Sequence, residues 1–114
     1  MALGKHILAE FKACDEKVLN DIKTIENLLL RAAKEAGVFV LGSSFHRFEP
    51  HGVSGVVIIS ESHLSIHTWP ELGYAAVDIF TCGEDVQPEK SFEFLRDELR
   101  SLDASFETLS RGEL

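Results

Sequence analysis

Cysteine is scarce in this chain, with Cys14 and Cys82 the only two in 114 residues. They stand far apart and match no paired metal-ligand spacing, so no metal is expected. With no signal segment ahead of them, they read as free thiols of a cytoplasmic protein. Long apolar runs are also missing. Val56-Val57-Ile58-Ile59 is as long as they get, against roughly 18 residues for a membrane-spanning helix, and no membrane partner is expected. Positive charge is in deficit. Eleven Lys and Arg face nineteen Asp and Glu, a net charge of -8, so a nucleic acid would have to bind against the field. Several reactive signatures are absent too. Neither Gly-x-Gly-x-x-Gly nor a P-loop occurs, and Gly52-Val53-Ser54-Gly55 fails the spacing of a Gly-x-Ser-x-Gly nucleophile elbow.

What is present suits one compact domain, since 45% of the residues are hydrophobic and the length allows one real core but not two. Residues 5–12 read as a first strand. Asp15 then caps a helix over about Glu16–Ala36, with apolar residues at Val18, Ile22, Ile25, Leu28, Leu29, Ala32 and Ala36 and a stop at Gly37. Val38–Leu41, Ser44–Phe48 and Val53–Ser60 read as strands, and Tyr74–Cys82 is the cleanest of all. Its Ala75, Val77 and Ile79 alternate with Tyr74, Asp78, Phe80 and Cys82. Pro88 opens a second helix to about Leu102, and a strand near Ala104–Leu109 closes the chain. This order fits an α+β two-layer sandwich, with both helices on one face of a mainly antiparallel sheet. The other face would carry aromatic and polar groups with no helix to cover it. A second copy, packed sheet to sheet, is the expected cover.

The richest segment is 60–71, Ser-Glu-Ser-His-Leu-Ser-Ile-His-Thr-Trp-Pro-Glu. Read with period two, His63, Ser65, His67 and Trp69 share one face, and Leu64 and Ile66 the other. His63 and His67 would lie about 13 Å apart on such a strand, too far to share one metal ion. What remains is a serine between a carboxylate and a histidine, Glu61-Ser62-His63, where two strands meet and the hydroxyl could reach the preceding carbonyl.

The blocks Gly4-Lys5-His6, 41–48, 50–55, 60–71 and 76–83, taken in order, resemble the short-chain S-adenosylmethionine decarboxylase proenzymes of prokaryotes. The resemblance covers nearly the whole chain. It implies self-cleavage between Glu61 and Ser62 into residues 1–61 (β chain) and 62–114 (α chain), the second headed by a pyruvoyl group derived from Ser62. It further implies His67 as the base that takes the α-proton of Ser62, Ser54 as a second processing residue, and Cys82 as the proton donor in decarboxylation. Phe48 and Trp69 resemble the pair that stacks on the adenosyl group, and Glu71 the carboxylate that grips the ribose. The pyruvoyl carbonyl would form a Schiff base with the substrate amine, and the product would feed spermidine and other polyamine synthesis. A homodimer, a four-layer αββα sandwich with active sites near the interface, is the assembly the resemblance implies. Leu72 departs from the aromatic expected after Trp69-Pro70-Glu71. Two other readings stay open, a relative that decarboxylates arginine or ornithine and an uncleaved regulatory homologue. His6, His46, His51 and His63 carry no assigned role beyond structural hydrogen bonds.

Overall fold

The computed structural model describes residues 2–114. In chain order it forms β1 (Ala2–Lys12), α1 (Glu16–Leu19), α2 (Ile22–Ala36), β2 (Val40–Arg47), β3 (Val53–Ile59), β4 (Ser62–Trp69), a 3-10 turn at Pro70–Leu72, β5 (Tyr74–Cys82), α3 (Pro88–Glu98) and β6 (Asp103–Glu113). The strands make one six-stranded sheet in the order β2-β3-β4-β5-β1-β6, and every neighbouring pair is antiparallel. The helices lie on one face, giving the two-layer α+β sandwich expected.

Alternation explains the layering. Ile7, Ala9 and Phe11 of β1, Leu64 and Ile66 of β4, and Ala75, Val77 and Ile79 of β5 are all buried. They meet Ile25, Leu29 and Ala32 of α2 and Phe92, Leu95 and Leu99 of the α3 region, also buried, in one continuous core. The opposite face has no layer over it, and Phe48, Ile58, Trp69 and Leu109 stay exposed.

Several boundaries differ from the sequence reading. The first helix is two, because Asp21 caps a new start: its Oδ1 accepts from Lys23 N at 3.2 Å and its Oδ2 from the Thr24 hydroxyl at 2.9 Å. Such a side chain competes with the continuing helix for backbone donors, and Asn20 becomes the end of α1. The two short strands around Gly42 are one strand, bulged between Val40 and Gly42. The last helix stops before Leu102, because Arg100 turns to the left-handed region at φ 56°. β1 and β6 both run longer than expected, because each pairs along almost its whole length with the other.

Gly55 illustrates how tightly the helix-side face is filled. It pairs with Phe45 across β2 and β3, and a Cβ there would sit 1.9 Å from Phe45 Cδ2. The variant Gly55→Ala should therefore expel the ring and cost about 1–3 kcal/mol, seen as a lowered urea midpoint at unchanged m-value.

Candidate active site

The turn joining β3 to β4 sets the first group of chemical side chains. Glu61 there adopts φ 73°, a left-handed conformation unusual for a residue with a Cβ. The bend puts the Ser62 hydroxyl against the peptide that precedes it. Ser62 Oγ donates to the Glu61 carbonyl oxygen at 2.5 Å and lies 3.3 Å from Cys82 Sγ, while the Cys82 thiol donates to the same carbonyl at 3.8 Å. A hydroxyl so placed is one short movement from the carbonyl carbon, and attack would close a five-membered ring. The thiol is aimed at the oxygen where negative charge would develop.

Cys82 sits over Gly4, its partner in the β1–β5 ladder. A Cβ at Gly4 would lie 2.7 Å from the Phe80 ring, 3.1 Å from Thr81 O and 3.2 Å from Cys82 Sγ. The missing side chain is thus the space in which the thiol and the ring are seated. Phe80 is fixed further by His6, with ring centroids 5.3 Å apart, and by the Arg111 guanidinium 5.5 Å from its centroid.

A second group lies towards the other end of the same strand. Ser54 and His67 are register partners across β3 and β4, and Ser54 Oγ is 2.7 Å from His67 Nδ1. Beside them Phe48, His51, Trp69 and Glu71 line a cleft of about 260 Å³. Trp69 stacks on Tyr74, with centroids 5.3 Å apart and planes at 30°. Tyr74 in turn donates its hydroxyl to Glu10. Burial, then that hydrogen bond and the carboxylate's charge, push the Tyr74 phenol up to about 12. Among the described residues no three His, Cys, Asp or Glu side chains converge as a metal site requires, and no helix is long and apolar enough to cross a membrane.

The fold therefore joins Ser62 to Cys82, and Ser54 to His67, Phe48, Trp69 and Glu71, but keeps the two groups apart within one chain. Ser62 and His67 stand five positions apart on the extended strand, about 16 Å at the usual rise. On β5, Cys82 stands six residues from Ala76, the register partner of His67, which is about 20 Å. Neither the expected base nor the expected stacking pair can reach Ser62 of its own chain.

A sequence profile described as S-adenosylmethionine decarboxylase matches residues 5–112. The chain belongs to that family. It is 59% identical over 100 residues to an S-adenosylmethionine decarboxylase proenzyme of Thermosipho africanus, covering 88% of this chain and 77% of that one. A proenzyme of the same description from Moorella thermoacetica is 53% identical over 111 residues, with 97% and 89% covered. The crystal structure of the adenosylmethionine decarboxylase from Aquifex aeolicus superposes with a TM-score of 0.92 at 35% identity, covering 99% of this chain and 93% of that one. The family fold and the fold described above are the same.

Sequence reasoning within the family blocks named Ser62 and Cys82, which the fold brings together, but gave no role to Gly4 or Tyr74 and only a structural hydrogen bond to His51. Gly4 opens one of the blocks, and only the three-dimensional contact with Cys82 explains why it carries no side chain. Gly4→Ala should displace the thiol or the Phe80 ring and cost about 1–3 kcal/mol. It should also change the alkylation rate of Cys82 relative to Cys14. Cys14 is a suitable reference because burial raises its pKa, with a smaller opposing effect from its contact with Ser101, so it should react slowly at neutral pH.

Tyr74 is the only tyrosine, which makes its ionisation directly visible. A titration followed by phenolate absorbance should show a midpoint near 12 instead of the usual value of about 10. The fold holds the neutral phenol, so its contribution to stability is complete below the unfolded pKa and disappears as pH rises through the folded one. Replacing Glu10 by Gln should bring the midpoint down.

Proposed function

We propose that the chain cuts itself between Glu61 and Ser62, and that a pyruvoyl group made from Ser62 then serves in the decarboxylation of S-adenosylmethionine, releasing carbon dioxide. The observation that carries this reading is the Ser62 hydroxyl lying on the Glu61 carbonyl with the Cys82 thiol beside it. Attack of Ser62 Oγ on the Glu61 carbonyl carbon breaks the peptide C–N bond and leaves an ester, with Cys82 donating towards the oxygen that becomes negative. Removal of the Ser62 α-proton then expels the Glu61 carboxylate, and hydrolysis of the resulting dehydroalanine gives ammonia and the pyruvoyl cap. Residues 1–61 and 62–114 are the two products.

The base for that proton is His67, whose imidazole is held in line by Ser54. A neutral imidazole offers a ring nitrogen that can take up the proton. Because His67 stands about 16 Å from Ser62 of its own chain, the reading requires a second copy facing the first sheet to sheet. A twofold axis near the middle of the open face lays the Ser54–His67 group of each copy over the Ser62–Cys82 group of the other. The exposed apolar groups on that face, Ile58, Trp69 and Leu109 among them, would be buried by the same act. A cleft of about 260 Å³ is also smaller than the usual small-molecule pocket of roughly 300–1,000 Å³, as half a site would be.

The pyruvoyl group, once formed, supplies an electron sink for the pair left when carbon dioxide departs. The chain's own residues do the rest. Phe48 and Trp69 offer flat faces to the adenine and to the cationic sulfonium, an attraction of about 1–2 kcal/mol when desolvated. Glu71 accepts from the ribose hydroxyls, and Cys82 holds at Sγ the proton returned to the substrate carbon. The same three binding residues favour an adenosyl substrate over arginine or ornithine, which have no ribose for Glu71 to grip. The free thiols Cys14 and Cys82 suit a reducing cytoplasm, where the product would be the aminopropyl donor from which spermidine is made.

Intact mass under denaturing conditions should give two fragments split after Glu61, the second losing its carbonyl mass signature on borohydride reduction. Ser62→Ala should remain a single chain, and His67→Ala should cut about 10²-fold more slowly. Co-expressing these two variants separates the arrangements. If the base comes from the second copy, the His67→Ala chain is cut in the mixed dimer. If the base comes from the same chain, neither is cut and the shared site is wrong.

A further inference from the structure

The loop 48–52 places one more side chain in the cleft. His51 Nε2 is 3.0 Å from Glu71 Oε1, and both side chains are part-exposed along the cleft wall. We propose that His51 is a positioning residue that sets the Glu71 carboxylate for a vicinal diol, and so makes the site selective for ribose over deoxyribose. The inference rests on the assignment of Glu71 to the ribose given above.

The geometry supports this in three steps. First, the loop is anchored from outside the cleft, where Gly52 N donates to Asn20 Oδ1 at 3.0 Å and Arg47 Nε donates to Asn20 O at 3.4 Å, and it is closed on itself by Phe48 N donating to Gly52 O at 2.8 Å. His51 therefore projects from a fixed support. Second, Glu71 follows Pro70 in a 3-10 turn and has no other hydrogen bond or ion pair among the described residues. Without His51 its long side chain would rotate freely. Third, a carboxylate has about four acceptor positions. His51 takes one on Oε1 and leaves both oxygens able to accept, the arrangement that two neighbouring hydroxyls need. Fixing a flexible acceptor before the ligand arrives raises affinity by lowering the ordering cost of binding.

Trp69 is the only tryptophan and lines this cleft, so its fluorescence reports occupancy directly. The test titrates S-adenosylmethionine and its 2′-deoxy analogue into the uncleavable Ser62→Ala protein, with His51 intact or changed to Ala or Gln. With His51 intact, the ribose ligand should bind more tightly than the deoxy ligand. His51→Ala should weaken ribose binding by about five- to tenfold and leave deoxy binding almost unchanged, so that the preference collapses. His51→Gln, which keeps a donor of similar reach, should restore it. An equal loss for both ligands, or a preference untouched in His51→Ala, would overturn the positioning role while leaving the decarboxylase reading standing. Failure of the His51-intact protein to bind S-adenosylmethionine would overturn the ribose assignment of Glu71 and the positioning role with it.

Discussion

Leu64, Ile66 and Thr68 of β4 lie sealed beneath the helices, and side chains alternate across a strand. Their burial therefore forces His63, Ser65, His67 and Trp69 onto the uncovered face. Thr68 pins the register most firmly, since its hydroxyl donates to Leu19 O at 2.8 Å and accepts from Val53 N at 2.9 Å. A slip of one residue would bury two imidazoles and an indole and turn the core outward. The chemical face of the molecule is thus a by-product of how its hydrophobic face is anchored.

The interruption between α1 and α2 serves the same end from a distance. Were the helix continuous, Asn20 would spend its carbonyl on the next turn and its side chain on solvent. As the residue that caps the end of α1 it instead receives Arg47 and Gly52, which holds the loop between β2 and β3 against the helical layer. Phe48 and His51 depend on that loop for their positions. A small loss of helical regularity in one layer becomes order in the cleft on the opposite side of the sheet.

Much of this was legible in the sequence. The alternation in 62–69 and 74–82 is strong because one face of each strand is wholly apolar, and the family blocks named Ser62, Cys82, Ser54 and His67. The break at Asn20–Asp21 was not legible, because Val18, Ile22 and Ile25 keep the phase of one helix straight across it. The contact between His51 and Glu71 joins residues twenty positions apart through a loop whose course depends on Asn20, and no local pattern announces it. By contrast, the separation of Ser62 from His67 follows from the strand arithmetic that already keeps His63 and His67 from sharing a metal. Gly4 was visible as a glycine but not as the floor beneath a thiol, since that contact exists only once β1 and β5 pair.

The order of strands has a bearing on what a cut chain would be. Severing the backbone after Glu61 leaves β1, β2 and β3 on one piece and β4, β5 and β6 on the other, yet the sheet does not divide along that line. β1 lies between β5 and β6 and is paired to both, while β3 stays paired to β4. The two pieces are interleaved like the fingers of clasped hands. Pulling them apart would mean stripping three antiparallel ladders and opening the one core they share, so a cut after Glu61 would leave the fold held together.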